Sequence, residues 1–366
     1  MYLAMKEMKK EKLRFLMIIL VTALIAYLVY FLSSLAYGLA QINRTAIDHW
    51  NAEGIVITKP ANGNIYGSMI DETDLNDLRL DLNNAITITT ATTYVANESD
   101  PYSLVFLGYD LNNDQLTPKI IDGREIEAND EIIVSHSIKK DVEVDLGDWI
   151  KLSSSNKSFK IVGFTQDSNY NTVPVVYGDR VSVASALRDS TPEGSEADAV
   201  QSNQPLRYSG WIAYDPIDQD SLDDYELVYM DIDSFIKELP GYQAQVLTFS
   251  LMIVSLAAIS SIIIGIFMYI LTMQKKSIFG VLKIQGYRNL FIMKSVIYQA
   301  VVVTSLGFIL GFMATLLTVE FLPPQVPIAL FWELYLLITL FAIICSLIGS
   351  LFSARSILKI DPLDAL

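Results

Sequence analysis

Two histidines, His49 and His136, and one cysteine, Cys345, are the only imidazole and thiol groups in the sequence. A structural or catalytic zinc needs three or four ligands at short, recurring spacings, and neither a CxxC nor an HExxH occurs, so no metal site is expected. A lone cysteine excludes a disulfide within the chain, so any part outside the cell must be stable without one. There is no G-x-x-x-x-G-K-[ST] loop to cradle nucleotide phosphates. Any ATP the protein needs is therefore hydrolysed on another chain, and no catalytic residue is assigned.

The remaining chemistry is aromatic and acidic. Tyr27, Tyr30, Ser34 and Tyr37 recur at i, i+3, i+7 and i+10 and share one face of a helix. Tyr27 and Tyr30 lie deep in an apolar run, where their hydroxyls need partners or must face a cavity; the other reading is that the tyrosines only anchor a helix at a membrane interface. His49 follows that run, and Tyr225, Tyr229 and Met230 precede the next. The acidic stretch from Asp218 to Asp233 is either a solvated face or a site for a hard cation.

Four apolar runs must position these residues: Leu16 to Gly38, Leu247 to Met273, Val296 to Leu317 and Ile328 to Phe352. Each is near or above the roughly 20 residues that cross about 30 Å of hydrocarbon, and their only charged residue is Glu333. The first follows Lys6, Lys9, Lys10, Lys12 and Arg14 as a secretory signal would. It is too long for a signal h-region of about 7–15 residues, so it reads as a retained span.

Charge is segregated along the chain. Residues 41–243 carry 35 acidic and 14 basic side chains, a net −21 against +6 for the rest. All twelve Lys and Arg outside that segment precede the first span, lie between the second and third, or follow the fourth. The positive-inside rule then places both termini in the cytoplasm and residues 41–243 outside. That outer segment reads as strands at "GIVITKP", "AITITTATTYVA", "YSLVFLGYDL", "EIIVSHS", "DWIKLSS" and "FKIVGFT". Helices are expected near "DETDLNDLRLDLNN", "SVASALRD" and "IDSFIKELPGY", and a loop, mobile or disordered, at "STPEGSEADAVQSNQP". Within the spans, Gly307-x-x-x-Gly311 permits close helix packing.

One stretch remains, "KKSIFGVLKIQGYRNLFIMKSV" from Lys275. On a helix, Ile278, Val281, Leu282 and Gln285 share a face with Phe279 beside them, and Lys276 and Lys283 flank it. Such a basic amphipath either lies on anionic lipid or docks on a cytoplasmic protein. The order of one span, a large outer domain, three spans and a short basic tail resembles the permease subunits of MacB/FtsX-type ABC transporters. Two motifs carry the resemblance: "KKSIFGVLKIQG", matching at Ile278, Gly280, Val281, Leu282, Lys283 and Gly286, and "ARSILKIDPLDAL", matching at Ala354, Asp361, Pro362, Ala365 and Leu366. Ser277 stands where the family usually has Glu. The opening residues Leu3, Ala4, Lys6, Glu7 and Met8 are similar to the haem-exporting branch.

The resemblance implies an α-helical membrane protein with four transmembrane helices and a large α+β extracytoplasmic domain inserted between helices 1 and 2. Its segments are a cytoplasmic amino terminus (1–15), first span (16–40), outer domain (41–243), second span (244–274), coupling segment (275–295), third span (296–319), outer loop (320–327), fourth span (328–354) and tail (355–366). It implies a cell-membrane exporter of two permeases with two cytoplasmic ABC ATPases, in contact with lipid and not with nucleic acid, with ATP and Mg on the partner and no cofactor of its own. Lys276, Ile278, Phe279, Gly280, Leu282, Lys283 and Gly286 are the candidate ATPase-coupling residues. Tyr27, Tyr30, Ser34, Tyr37, His49, Tyr225, Tyr229 and Met230 are the candidate contacts for haem, whose iron a phenolate, imidazole or thioether can ligate. Another amphiphile, antibiotic or peptide remains open as substrate, as do an FtsX-like regulator of extracellular cell-wall hydrolases and a ligand sensor acting with a kinase.

Overall fold

The computed structural model describes residues 8–95, 100–154, 157–188, 207–274, 276–323 and 325–358. The loop-like stretch 190–205 and the motif residues Asp361, Pro362, Ala365 and Leu366 lie outside these. The chain divides into a helical unit, residues 1–38 with 246–366, and a sheet-rich unit, residues 39–245, labelled the outer unit after the side on which the charge pattern expects it.

Helix α1 (Lys12–Asp48) opens the chain, and its 37 residues make about 55 Å of helix, well beyond the hydrocarbon thickness. Its last ten residues belong to the outer unit. There β1 (Gly54–Thr58), β2 (Ile70–Asp71), helix α2 (Glu72–Asp77), β3 (Ala85–Val95), β4 (Tyr102–Tyr109), β5 (Ile120–Gly123), β6 (Glu131–Ser135), β7 (Trp149–Leu152), β8 (Ser158–Thr165), β9 (Asn169–Tyr170), β10 (Val173–Asp179), α3 (Arg180–Arg188), β11 (Arg207–Tyr208), β12 (Gly210–Ala213), β13 (Leu227–Asp231) and α4 (Ile232–Lys237) follow. The main sheet runs β13-β1-β12-β3-β4-β10-β6-β8-β5, with β7 bridging β3 and β8, and β9 joined to β10. β10 lies parallel to β4, and β6 parallel to β8.

Both faces of this sheet are buried, and the two-residue period of a strand sorts them. Val105 and Leu107 of β4 enter one core with Ile55, Ile57, Ile88 and Phe235; Leu104 and Phe106 enter another with Ile132, Val134, Ile161 and Phe164. Nearer β13, Val56, Trp211 and Leu227 form a third cluster. The six expected strands and three expected helical regions are present. The other seven strands are not among the expected ones: β2, β9 and β11 are two residues long, β5 and β12 four, β10 carries Pro174, and β13 runs through the acidic stretch.

The helical unit continues with α5 (Tyr242–Gln274), α6 (Lys276–Ile284), α7 (Asn289–Phe321) and α8 (Trp332–Leu358). With α1, the helices α5, α7 and α8 are long and apolar enough to cross a membrane. α7 packs on α1 through Gly307 and Gly311. A Cβ at Gly307 would sit 2.6 Å from Thr22 Cγ2, and one at Gly311 would sit 2.6 Å from the Ala26 Cβ. The glycine pair therefore serves packing within the chain, letting two backbones approach where lipid gives no hydrophobic drive. Leu322 ends α7 immediately before Pro323.

Candidate functional site

α6 is a nine-residue helix closed by a Schellman turn: Gly286 N–H donates to the Lys283 carbonyl at 3.0 Å, and Tyr287 N–H to the Leu282 carbonyl at 3.1 Å. Gly286 has φ +84°, and nothing lies within 4 Å of where its Cβ would be. Its role is therefore to stop the helix rather than to fit against a neighbour. Phe279 is 1 % exposed and packs in the helical core with Phe15, Ile292 and Val296; Gly280 is buried, and Leu282 and Lys283 are half-buried. This corrects the expectation that Phe279 belongs to the docking face. One residue turns a helix by about 100°, which carries Phe279 away from Ile278 and into the bundle.

The outward face holds Ile278, Val281 and Ile284, 47, 44 and 52 % exposed, and Gln285. Tyr287, Leu290 and Phe291 extend it, the Tyr287 and Phe291 rings stacking at 5.3 Å. Ile284 falls on the same period as Ile278 and Val281 and was readable from it; the contribution of the α6–α7 turn was not. The side chain of Lys276 lies outside the described residues.

The tyrosine stripe turns inward. Tyr30 is 2 % exposed, its hydroxyl pairs with Thr339 Oγ1, and its ring meets Phe308, Phe312 and Tyr335 edge-on at 5.3–5.8 Å. The Ser34 hydroxyl donates to the Tyr30 carbonyl at 2.7 Å and also pairs with the Tyr335 hydroxyl. Tyr37 stacks on Phe331 at 4.5 Å, and the Tyr27 hydroxyl accepts from Thr318 Oγ1 at 3.3 Å. The need for hydroxyl partners was legible in the sequence; that α7 and α8 of the same chain supply them was not.

His49 is not at the edge of the first apolar run, because α1 continues ten residues, about 15 Å, beyond Gly38. It lines a cavity of about 520 Å³ with Trp50, Lys119, Gln166, Tyr177 and Tyr214. Burial pushes its imidazole below the usual histidine range, with Asp48 opposing, so the ring is neutral at neutral pH. Burial also pushes the Tyr214 hydroxyl up to about 12. Tyr225 and Tyr229 pack on the cluster around Trp211, whereas Met230, one residue along β13, packs on the opposite core. The three therefore do not form one surface.

The acidic stretch is used locally. Asp218 accepts from Asp220 N–H, Asp231 caps α4 by accepting from Ser234 N–H at 2.9 Å, and Asp223 binds Lys59 at 2.9 Å. Among the described residues no three His, Cys, Asp or Glu side chains gather as metal ligands.

The FtsX-like permease C-terminal family matches residues 250–362, a span that takes in α6 and α7. A Staphylococcus haemolyticus protein that carries the name hemin transport system permease protein HrtB is 25% identical over 371 residues, covering 100% of this chain and 99% of the relative. Two Staphylococcus epidermidis proteins of the same name are 23% identical over 367 residues at the same coverage. Among solved structures, the extracellular domain of the noncanonic ABC-type transporter YknZ from Gram-positive bacteria aligns with 49% of this chain and 99% of its own. Its identity is 12% and its TM-score 0.33, too low to bear on the fold. Residues 250–362 are thus similar to the FtsX-like permease C-terminal family, in a chain whose full-length relatives are named as hemin transport permeases.

Proposed function

We propose that this ABC-type permease subunit expels haem or a similar amphiphile from the cell membrane, driven by ATP hydrolysed on a separate cytoplasmic chain. The observation that carries the coupling is the exposed apolar face of α6. Three branched side chains in a row, continued by Tyr287, Leu290 and Phe291, make a helix face suited to an apolar groove on a motor subunit. Haem as substrate is favoured by relatives that match from end to end, and His49, neutral and beside a cavity, is the imidazole available to iron. The positive-inside rule supports α6 in the cytoplasm and the outer unit outside. Two permeases would act with two ATPases, and α5, with Leu247, Leu251, Val254, Ile259, Ile262 and Ile266 all exposed, has the surface to meet lipid or a second copy.

The test is ATP hydrolysis by the chain reconstituted with its ATPase in liposomes. Hemin should stimulate hydrolysis, and Val281→Asp should abolish both stimulation and ATPase binding. Hydrolysis indifferent to hemin would remove haem as substrate. A second reading, contact with an extracellular protein, draws on exposed Ile121, Leu146 and Trp149 of the outer unit. Capture of a cell-wall hydrolase, lost on Trp149→Ala, would favour it.

A further inference from the structure

The carboxy-terminal turns of α1 are fastened to the outer sheet at one place. Asn169 N–H donates to Thr45 Oγ1 at 2.8 Å, and the Thr45 hydroxyl lies 3.4 Å from the Asn169 carbonyl. Asn171 N–H donates to the Asn43 carbonyl at 2.9 Å. The Asn43 side chain donates to the Leu39 carbonyl at 2.7 Å, which fixes its rotamer, and to Gln245 Oε1 of α5 at 3.2 Å. Arg44, held by Asp48 at 2.6 Å, also reaches Tyr242 at the start of α5. Asn43 and Asn169 are 3 and 2 % exposed, so these bonds are shielded from competing water.

The segment they hold is stiff. Asn171 and Thr172 follow one another at φ +47° and +72°, a tight two-residue turn joining β9 to β10. The side chain of Asn169 spans it to the Thr172 carbonyl at 3.2 Å. A threonine at positive φ persists only where its surroundings dictate it. β10 itself lies inside the sheet, between β4 and β6. A displacement of α1 at Thr45 therefore enters the sheet at an interior strand and not at a free edge.

We propose that Asn43, Thr45 and Asn169 form a clamp that makes the outer ends of α1 and α5 and the β9–β10 hairpin move as one piece, and that ATP-driven motion of these helices reaches the outer sheet through it. The inference rests on the exporter reading above and assigns a positioning role: no clamp residue need touch substrate. A clamp that only held the fold together would matter to stability and not to the ratio of transport to hydrolysis.

The experiment uses the full chain with its ATPase in liposomes and measures hemin exported per ATP hydrolysed, together with the thermal midpoint of the complex. Thr45→Val removes the hydroxyl and keeps the shape. It should leave hemin-stimulated hydrolysis in place while export per ATP falls about fivefold or more, the range of an ordinary coupling energy. Thr45→Ser, which keeps the hydroxyl, should restore it. A wild-type export ratio in Thr45→Val overturns the clamp and leaves the exporter standing. A fall in midpoint with export and hydrolysis reduced in the same proportion also overturns it, as a purely structural contact. Absence of ATP-driven hemin export in the wild type overturns the exporter reading and the clamp with it.

Discussion

Tyr30 and Glu131 show how one partner fixes what a side chain can do. With its hydroxyl on Thr339 and three aromatic rings around it, Tyr30 is part of the packed interior of the helical bundle. Tyr30→Phe should lower stability by about 1 kcal/mol, a net hydrogen bond, read as a drop in thermal midpoint in detergent. Unchanged stability with weakened hemin binding would instead make the hydroxyl a ligand contact. Glu131 is 8 % exposed and forked by Arg124, whose Nη1 lies 2.8 Å from Oε2, with the Glu127 and Ala128 amides adding bonds. Arg124 above all holds this carboxyl at about 2, below its ordinary 4.5. A depressed carboxyl stabilises the fold above its unfolded value and loses that contribution as pH falls through the folded one. The thermal midpoint should therefore fall between pH 4.5 and about 2, and Glu131→Gln should remove this component; an identical pH profile in the variant would contradict it. Neither pairing was readable from the sequence: Thr339 lies 309 positions from Tyr30, and Arg124, though only seven residues from Glu131, meets it because the segment between β5 and β6 folds back.

At the scale of elements, α6 separates two kinds of apolar residue that composition treats alike. Val281→Asp places a charge on the exposed face and should leave folding intact while abolishing ATPase binding in a pull-down. Phe279→Ala empties a core position and should cost about 3–5 kcal/mol of stability. The reverse pattern, binding lost for Phe279→Ala in a folded protein and kept for Val281→Asp, would move the dock to another face. Periodicity located the helix and the pair Ile278 and Val281. It could not decide on which side of them the bundle lies, since α6 has apolar residues on both. In the outer unit, strand reading found the stretch of β3, whose alternation buries Ala91, Thr93 and Val95. It failed for β13, whose valine, tyrosine and methionine sit among aspartates that turn out to cap and pair locally.

For the whole molecule, charge segregation is the most legible feature, because a membrane sorts long apolar runs from a −21 segment without reference to detail. The topology this implies can be measured in a Cys345→Ser background. A membrane-impermeant thiol reagent should label Ser154→Cys in intact cells and should leave Gln285→Cys unlabelled until the cells are opened; both positions are exposed. Labelling of Gln285→Cys from outside would invert the orientation on which ATPase docking depends. Less legible was the depth to which α1 rises into the outer unit. The polar residues after Gly38, Gln41, Asn43, Arg44 and Thr45, fall in the segment assigned to the outer domain, whereas they continue the helix and tie it to the sheet.

If haem moves outward under power delivered through α6, the haem retained by cells after a hemin load measures it directly. Cells lacking this chain should retain more haem than the parent; restoring the wild type should return retention to the parental level, and restoring Val281→Asp at equal membrane abundance should not. Equal retention with and without the chain would contradict the account.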